Sequence, residues 1–153
     1  MNTEETFLKE KLVPALKKID PGTKGNWGVM SPQQMVEHLG DSIAIAYGKI
    51  VLPVVTPPEK KEALYQFLMS DIPFKENTKN PLLGEIPPPP KFSNMDEAIE
   101  KLQKRLSIFF ETFEKNPGLI TTHPIFNKLN YAENMRLLYK HSKHHFKQFG
   151  IED

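Results

Sequence analysis

The stretch "MDEAIEKLQKRLSIFFETF", residues 95–113, places Met95, Ile99, Leu102, Leu106, Phe109 and Phe113 at alternating steps of four and three. On a helix of about 3.6 residues per turn this spacing gathers six large apolar side chains into one stripe, the seam of a helix packed within a bundle. Asn116, Pro117 and Gly118 end it. A seam of this kind needs partners, and the rest of the chain supplies them.

Toward the N-terminus, Leu8, Leu12, Leu16 and Ile19 predict a helix over 3–19, with Thr3 as its N-cap and Pro14 kinking or dividing it. Ser31, Pro32 and Gln34 form a capping-box start, so a second helix is expected over 32–50. "PEKKEALYQFLMS", residues 58–70, predicts a shorter helix opened by proline. Residues 71–93, "DIPFKENTKNPLLGEIPPPPKFS", are too rich in proline for regular structure and predict a long crossover, in which Pro87–Pro90 form a stiff polyproline II spacer. The last helix is expected to open at Asn130, with Glu133 at its third position, and to end at Phe149 with Gly150 as its C-terminal cap. No segment reads as a strand. The economical arrangement is all-α, a four-helix bundle with one accessory helix and a long proline-rich crossover, in a single domain spanning 1–153.

Composition narrows the function. Twenty Lys and Arg oppose 19 Asp and Glu, a formal net charge of +1, so no bulk field draws the chain to nucleic acid or an anionic membrane. The chain has no cysteine, which excludes disulfides, thiolate metal ligands and a cysteine nucleophile, and leaves imidazole and carboxylate as ligands. The N-terminal residues lack the apolar core of a signal peptide, and no run approaches the roughly 18 apolar residues of a membrane span; a cytoplasmic protein is expected.

The five histidines are unevenly placed, three of them in "HSKHHFKQFG", residues 141–150. At about 100° per residue, Asn134, Leu138, His141, His145 and Gln148 share a narrow stripe, with His144 at its edge. His141 and His145 stand at i, i+4, where two imidazoles can reach one cation; the same spacing also occurs on solvated helices. In "MVEHLGDS", His38 lies on or beside the apolar face of the second helix. It reads either as a core histidine held by a backbone carbonyl or by Asp41, or as a third ligand from a facing helix. His144 with His141, at i, i+3, is the alternative ligand pair, and Asp41, His144 and Gln148 are the candidate supporting residues around the ligands. Glu37 and Asp41 are the carboxylates near enough in sequence to orient His38 or act as a base. His123, before Pro124, reads as a loop anchor, and Trp27 as a packing residue.

"WGVMSPQQMVEHLGDS" together with "THPIFNKLNYAENMRLLYKHSKHHFKQFG" resembles the DinB-like superfamily of metalloenzymes, in a branch that ends in a similar His-His-x-x-Gln-Phe-Gly pattern. The likeness spans residues 26–150 and concentrates at its two ends. It implies an up-down-down-up four-helix bundle holding a divalent ion, nickel or zinc, on His38, His141 and His145, the last marked by Gln148 three positions on. One departure is Asn127, where similar sequences carry glycine.

Three neutral imidazoles leave a divalent charge uncompensated, which suits Lewis-acid chemistry on a water or a thiol. The resemblance implies relatives that use low-molecular-weight thiols, as bacillithiol S-transferases and mycothiol-dependent isomerases do. The expected function is therefore a metal-dependent transferase of that type, the alternatives being a metal-dependent hydrolase or a non-catalytic metal or small-ligand binding protein. The expected partner is a small molecule, a thiol in the first reading, with neither nucleic acid nor membrane; a homodimer stays open as the assembly.

Overall fold

A computed structural model describes residues 2–76 and 86–152. The chain is mostly helical. Helix α1 covers residues 3–17 without a break: α-helical turns at Thr3–Thr6 and Leu12–Lys17 flank a π-helical turn at Phe7–Lys11. Pro14 therefore does not divide the helix. The wider turn just before it, closed by Leu12 N–H donating to the Phe7 carbonyl, makes room where a proline ring presses on the preceding turn. The cap is Asn2 rather than Thr3, its Oδ1 accepting from the Glu5 amide at 2.8 Å.

Helix α2, Pro32–Ala46, opens with the expected capping box of Ser31 and Gln34. It ends before residue 50 because Gly48 turns the backbone to φ 86° and the amides of Lys49 and Ile50 both fold back onto the Ala44 carbonyl. A short 3₁₀ turn, Pro58–Lys60, leads into α3, Lys61–Met69. Helix α4, Met95–Lys115, is capped by Asn94 and buries all six seam residues, packing chiefly on α2. Helix α5, Tyr131–Phe149, has the Asn130/Glu133 capping box and the left-handed Gly150 at its end, as the sequence predicts.

One element was not foreseen. Strands β1, Thr121–His123, and β2, Asn127–Leu129, pair antiparallel with Thr121 opposite Leu129. Three residues per strand are too few for a period of two to stand out. Asn127 adopts φ 65°, the left-handed conformation for which glycine is best suited and which asparagine tolerates better than other side chains. The hairpin is tied to α2 by Thr121 Oγ1, which donates to the Ala46 carbonyl at 2.8 Å and accepts from Asn134 Nδ2 at 2.9 Å.

The main core joins Phe7, Leu12 and Leu16 of α1, Met35, Leu39 and Ile43 of α2, Leu102 and Phe109 of α4, and Leu138 and Phe146 of α5. A smaller cluster of Leu68, Leu129 and Leu137 seats α3 and the hairpin against α5, with Phe74 and Phe126 packed on it. The middle of the expected crossover, 77–85, lies outside the described residues; on either side of it, 72–75 and 87–91 form neither helix nor strand. Among the described residues, no helix is long and apolar enough to cross a membrane.

Candidate metal centre

His38 projects from the middle of α2, and His141 and His145 from successive turns of α5; the packing of α2 against α5 brings the three together. His38 Nε2 lies 2.9 Å from His141 Nε2, which lies 3.0 Å from His145 Nε2. One ligand nitrogen from each of the three lies within 4.8 Å of the others, close enough to hold a metal ion. With metal–nitrogen bonds of about 2.0–2.1 Å, ligand nitrogens stand about 2.9 Å apart at right angles and about 3.3 Å apart at tetrahedral angles. The observed spacing fits a shared cation.

The hydrogen bonds around His145 fix which nitrogen is bare. Gln148 Nε2 donates to the Trp27 carbonyl at 3.1 Å, which turns Gln148 Oε1 toward His145 Nδ1 at 2.7 Å. An amide oxygen can only accept, so Nδ1 carries the proton and Nε2 presents a lone pair. A neutral His141 can donate through Nε2 to one neighbour at most, so three converging nitrogens cannot satisfy one another by hydrogen bonds. They need a cation. A proton is disfavoured: burial lowers His38 to about 4 and His145 to about 3, and lowers His141 well below the ordinary imidazole value, with further depression from neighbouring histidines. All three are neutral near pH 7, the state that ligates a metal.

The loop before α2 is shaped around Gln148. A side chain at Gly25 would stand 2.9 Å from the Trp27 carbonyl and 3.2 Å from Gln148 Cγ, so only glycine lets the loop come this close. Trp27 packs on His144, ring centroids 5.4 Å apart. Replacing Gln148 with alanine is expected to weaken metal binding roughly 10–100-fold, the usual consequence of losing the partner of a ligating histidine. A competition titration against a chelator checks this, and unchanged affinity would mean that His145 needs no such support.

The other candidates occupy defined places. His144 does not join the triad; its ring bonds to the Phe74 backbone and meets the Phe74 ring edge-on, centroids 5.8 Å apart. Asp41 acts on His38 through its charge, while its Oδ1 accepts from Arg105 Nη1 at 2.8 Å. Glu37 is committed to the backbone, accepting from the Lys91 amide at 2.7 Å and the Phe92 amide at 3.4 Å. His123 is the loop anchor expected: its Nδ1 accepts from the amides of Ile125 at 3.0 Å and Phe126 at 3.2 Å, and burial lowers it to about 4.

The sequence reading missed Phe74, which lies edge-on to His141 with centroids 6.2 Å apart and so borders the site. It is held there indirectly. Arg136 donates to the carbonyls of Leu68 and Ser70, and Lys140 to those of Phe67 and Ser70, so two cations of α5 clamp the C-terminal end of α3 just ahead of Phe74. Their place on α5, one and five residues before His141, was visible in the sequence, but not what they bind. No family model, curated protein or solved structure matches this chain.

Proposed function

We propose that the chain is a DinB-like four-helix-bundle metalloprotein, with α1, α2, α4 and α5 as the bundle in up-down-down-up order and α3 as the accessory helix, holding nickel or zinc on His38, His141 and His145. In support, those four helices share the main core, while α3 contributes to the separate cluster around Leu68. The observation that carries the metal reading is the convergence of three Nε2 atoms, one of them fixed as a lone pair by Gln148. Nitrogen ligands suit nickel and zinc alike, and elemental analysis of purified protein distinguishes them.

A divalent ion at this position supplies Lewis acidity, lowering the pKa of a thiol or water that shares it. The residues of the chain divide the remaining work. Phe74 stands edge-on to the His141 ring. On the His38 side a narrow cleft reaches the ligand, bordered by Glu37, Asp41 and Pro87–Pro89. Both Glu37 oxygens accept hydrogen bonds, whereas the Arg105 pair engages Asp41 through Oδ1 alone, so the second oxygen of Asp41 is the better placed to accept a proton from an incoming group. The reading adopted is a metal-dependent S-transferase that uses a low-molecular-weight thiol, a substrate class that rests on the resemblance.

Metal-dependent hydrolysis is the second reading, favoured by the small size of the cleft, whose free volume of about 30 Å³ suits water. Small thiols, cysteine among them, presented to the cobalt-substituted protein separate the two. The transferase reading expects a thiolate charge-transfer band, absent from His145→Ala, together with metal-dependent conjugation to an electrophile such as monochlorobimane. If no thiol alters the spectrum and none is consumed, the transferase reading fails and hydrolysis moves ahead of it.

A further inference from the structure

Four prolines in a row, Pro87–Pro90, have no backbone N–H, so the run can be fastened only through its carbonyls or through the amides that follow it. Gln34 and Glu37 of α2 take up these possibilities, and Gln33 holds the chain just beyond the run. Gln34 Nε2 donates to the Pro88 carbonyl at 3.0 Å, and Gln33 Nε2 donates to the Phe92 carbonyl at 2.7 Å. Glu37 receives the first two amides after the run, those of Lys91 and Phe92. Gln33 Nε2 also donates to Glu37 Oε2 at 3.0 Å, which holds the carboxylate in line.

The position of these fastenings matters more than their number. They lie in the first turns of α2, next to His38, and they lay Pro87–Pro89 along the cleft that leads to it. Proline rings are stiff because φ is locked, so a run held at Pro88 and again at Lys91 and Phe92 acts as a fixed wall. The space left is about 30 Å³, where a single water needs about 10–15 Å³.

We infer that Glu37 is a positioning residue for ligand selection: by holding the backbone after the proline run to α2, it sets Pro87–Pro89 as a wall that admits only ligands of a few heavy atoms to the metal centre. This rests on the metal reading above and narrows its substrate to small, unbranched thiolates or anions. Larger thiols reach the ion only when the wall is displaced. The carboxylate is suited to this work, since a charged acceptor holds two amides more firmly than a neutral one would.

Ligand binding to the cobalt-substituted full chain, followed by its visible spectrum, tests the inference with methanethiol and glutathione, which share a sulfur donor and differ in bulk. In the unaltered protein methanethiol is expected to bind at least about a hundredfold more tightly than glutathione. Glu37→Ala, which removes the hold on the Lys91 and Phe92 amides, and Pro88→Ala, which trims the wall without altering a residue of α2, should each reduce that ratio about tenfold or more. Amide exchange at Lys91 and Phe92 should accelerate in Glu37→Ala, a readout independent of the metal. Equal affinity for the two thiols in the unaltered protein would overturn the inference, as would an unchanged ratio in Pro88→Ala, even if Glu37→Ala fails to fold. Absence of cobalt binding overturns the metal reading and this inference together, whereas cobalt binding with unchanged selectivity removes the inference alone.

Discussion

Alanine at His38, His141 or His145 is expected to lower metal affinity by well over about a hundredfold, more than the loss typical for a supporting residue such as Gln148. Each substitution removes one of the three nitrogens that lie within 4.8 Å of each other. Two imidazoles then remain to hold the ion, and no cysteine is available to replace the third. His144→Ala and His123→Ala should retain the metal, because the first ring is bonded to the Phe74 backbone and the second to the amides of its own hairpin. Elemental analysis after purification, with circular dichroism to establish folding, gives the answer. Full occupancy in all three triad variants would eliminate the site, and loss in His144→Ala with retention in His145→Ala would move the ligand to the neighbouring position.

The second large effect is on acid stability. Burial lowers His38 and His123 to about 4 and His145 to about 3, whereas in the unfolded chain each titrates near the ordinary value of about 6.5. The unfolded chain therefore takes up protons first as the pH falls, and the folded state loses stability from about 6.5 down to the folded values. Above about 6.5 these groups contribute no slope. By pH 5 each of the three costs about 2 kcal/mol, at about 1.4 kcal/mol per pH unit, and His141 adds to the loss in the same direction. Against a total stability of about 5–15 kcal/mol, this is a large part of what holds the metal-free protein folded. The melting temperature of the chelated protein is expected to fall by at least about 10 °C between pH 7 and 5. The ion binds neutral imidazole, so metal-loaded and chelated samples should differ at pH 7.5 and converge in acid. A melting temperature that stays level from pH 7 to 4.5 would contradict the burial of these rings.

Much of this architecture is legible in the chain. The seam from Met95 to Phe113, the capping boxes at Ser31/Gln34 and Asn130/Glu133, and the Gly150 cap are written in residues a few positions apart, and all of them appear where they were read. Helical periodicity and end capping are local, decided by neighbours within one or two turns. The pairing of His141 with His145 was readable for the same reason. Where a local rule misled, another local group won: Asn2 capped the first helix in place of Thr3, and a π turn absorbed Pro14.

Tertiary structure decided everything that depends on what faces what. His144 and His145 differ by about 100° around one helix, and only the position of α2 and of the Trp27 carbonyl, which orients Gln148, brings His145 onto the shared centre. Asp41 went to Arg105 and Glu37 to the amides after the proline run, pairings between residues 64 and 54 positions apart that no local period encodes. Phe74 and Pro87–Pro89 came to border the site from a segment without periodicity, fixed by hydrogen bonds from α2 and by the clamp of Arg136 and Lys140 on α3. The sequence by itself determined the helices and supplied the histidines. The packing of α2 on α5 chose which imidazoles meet, because burial and long-range hydrogen bonding act only once distant segments have come together.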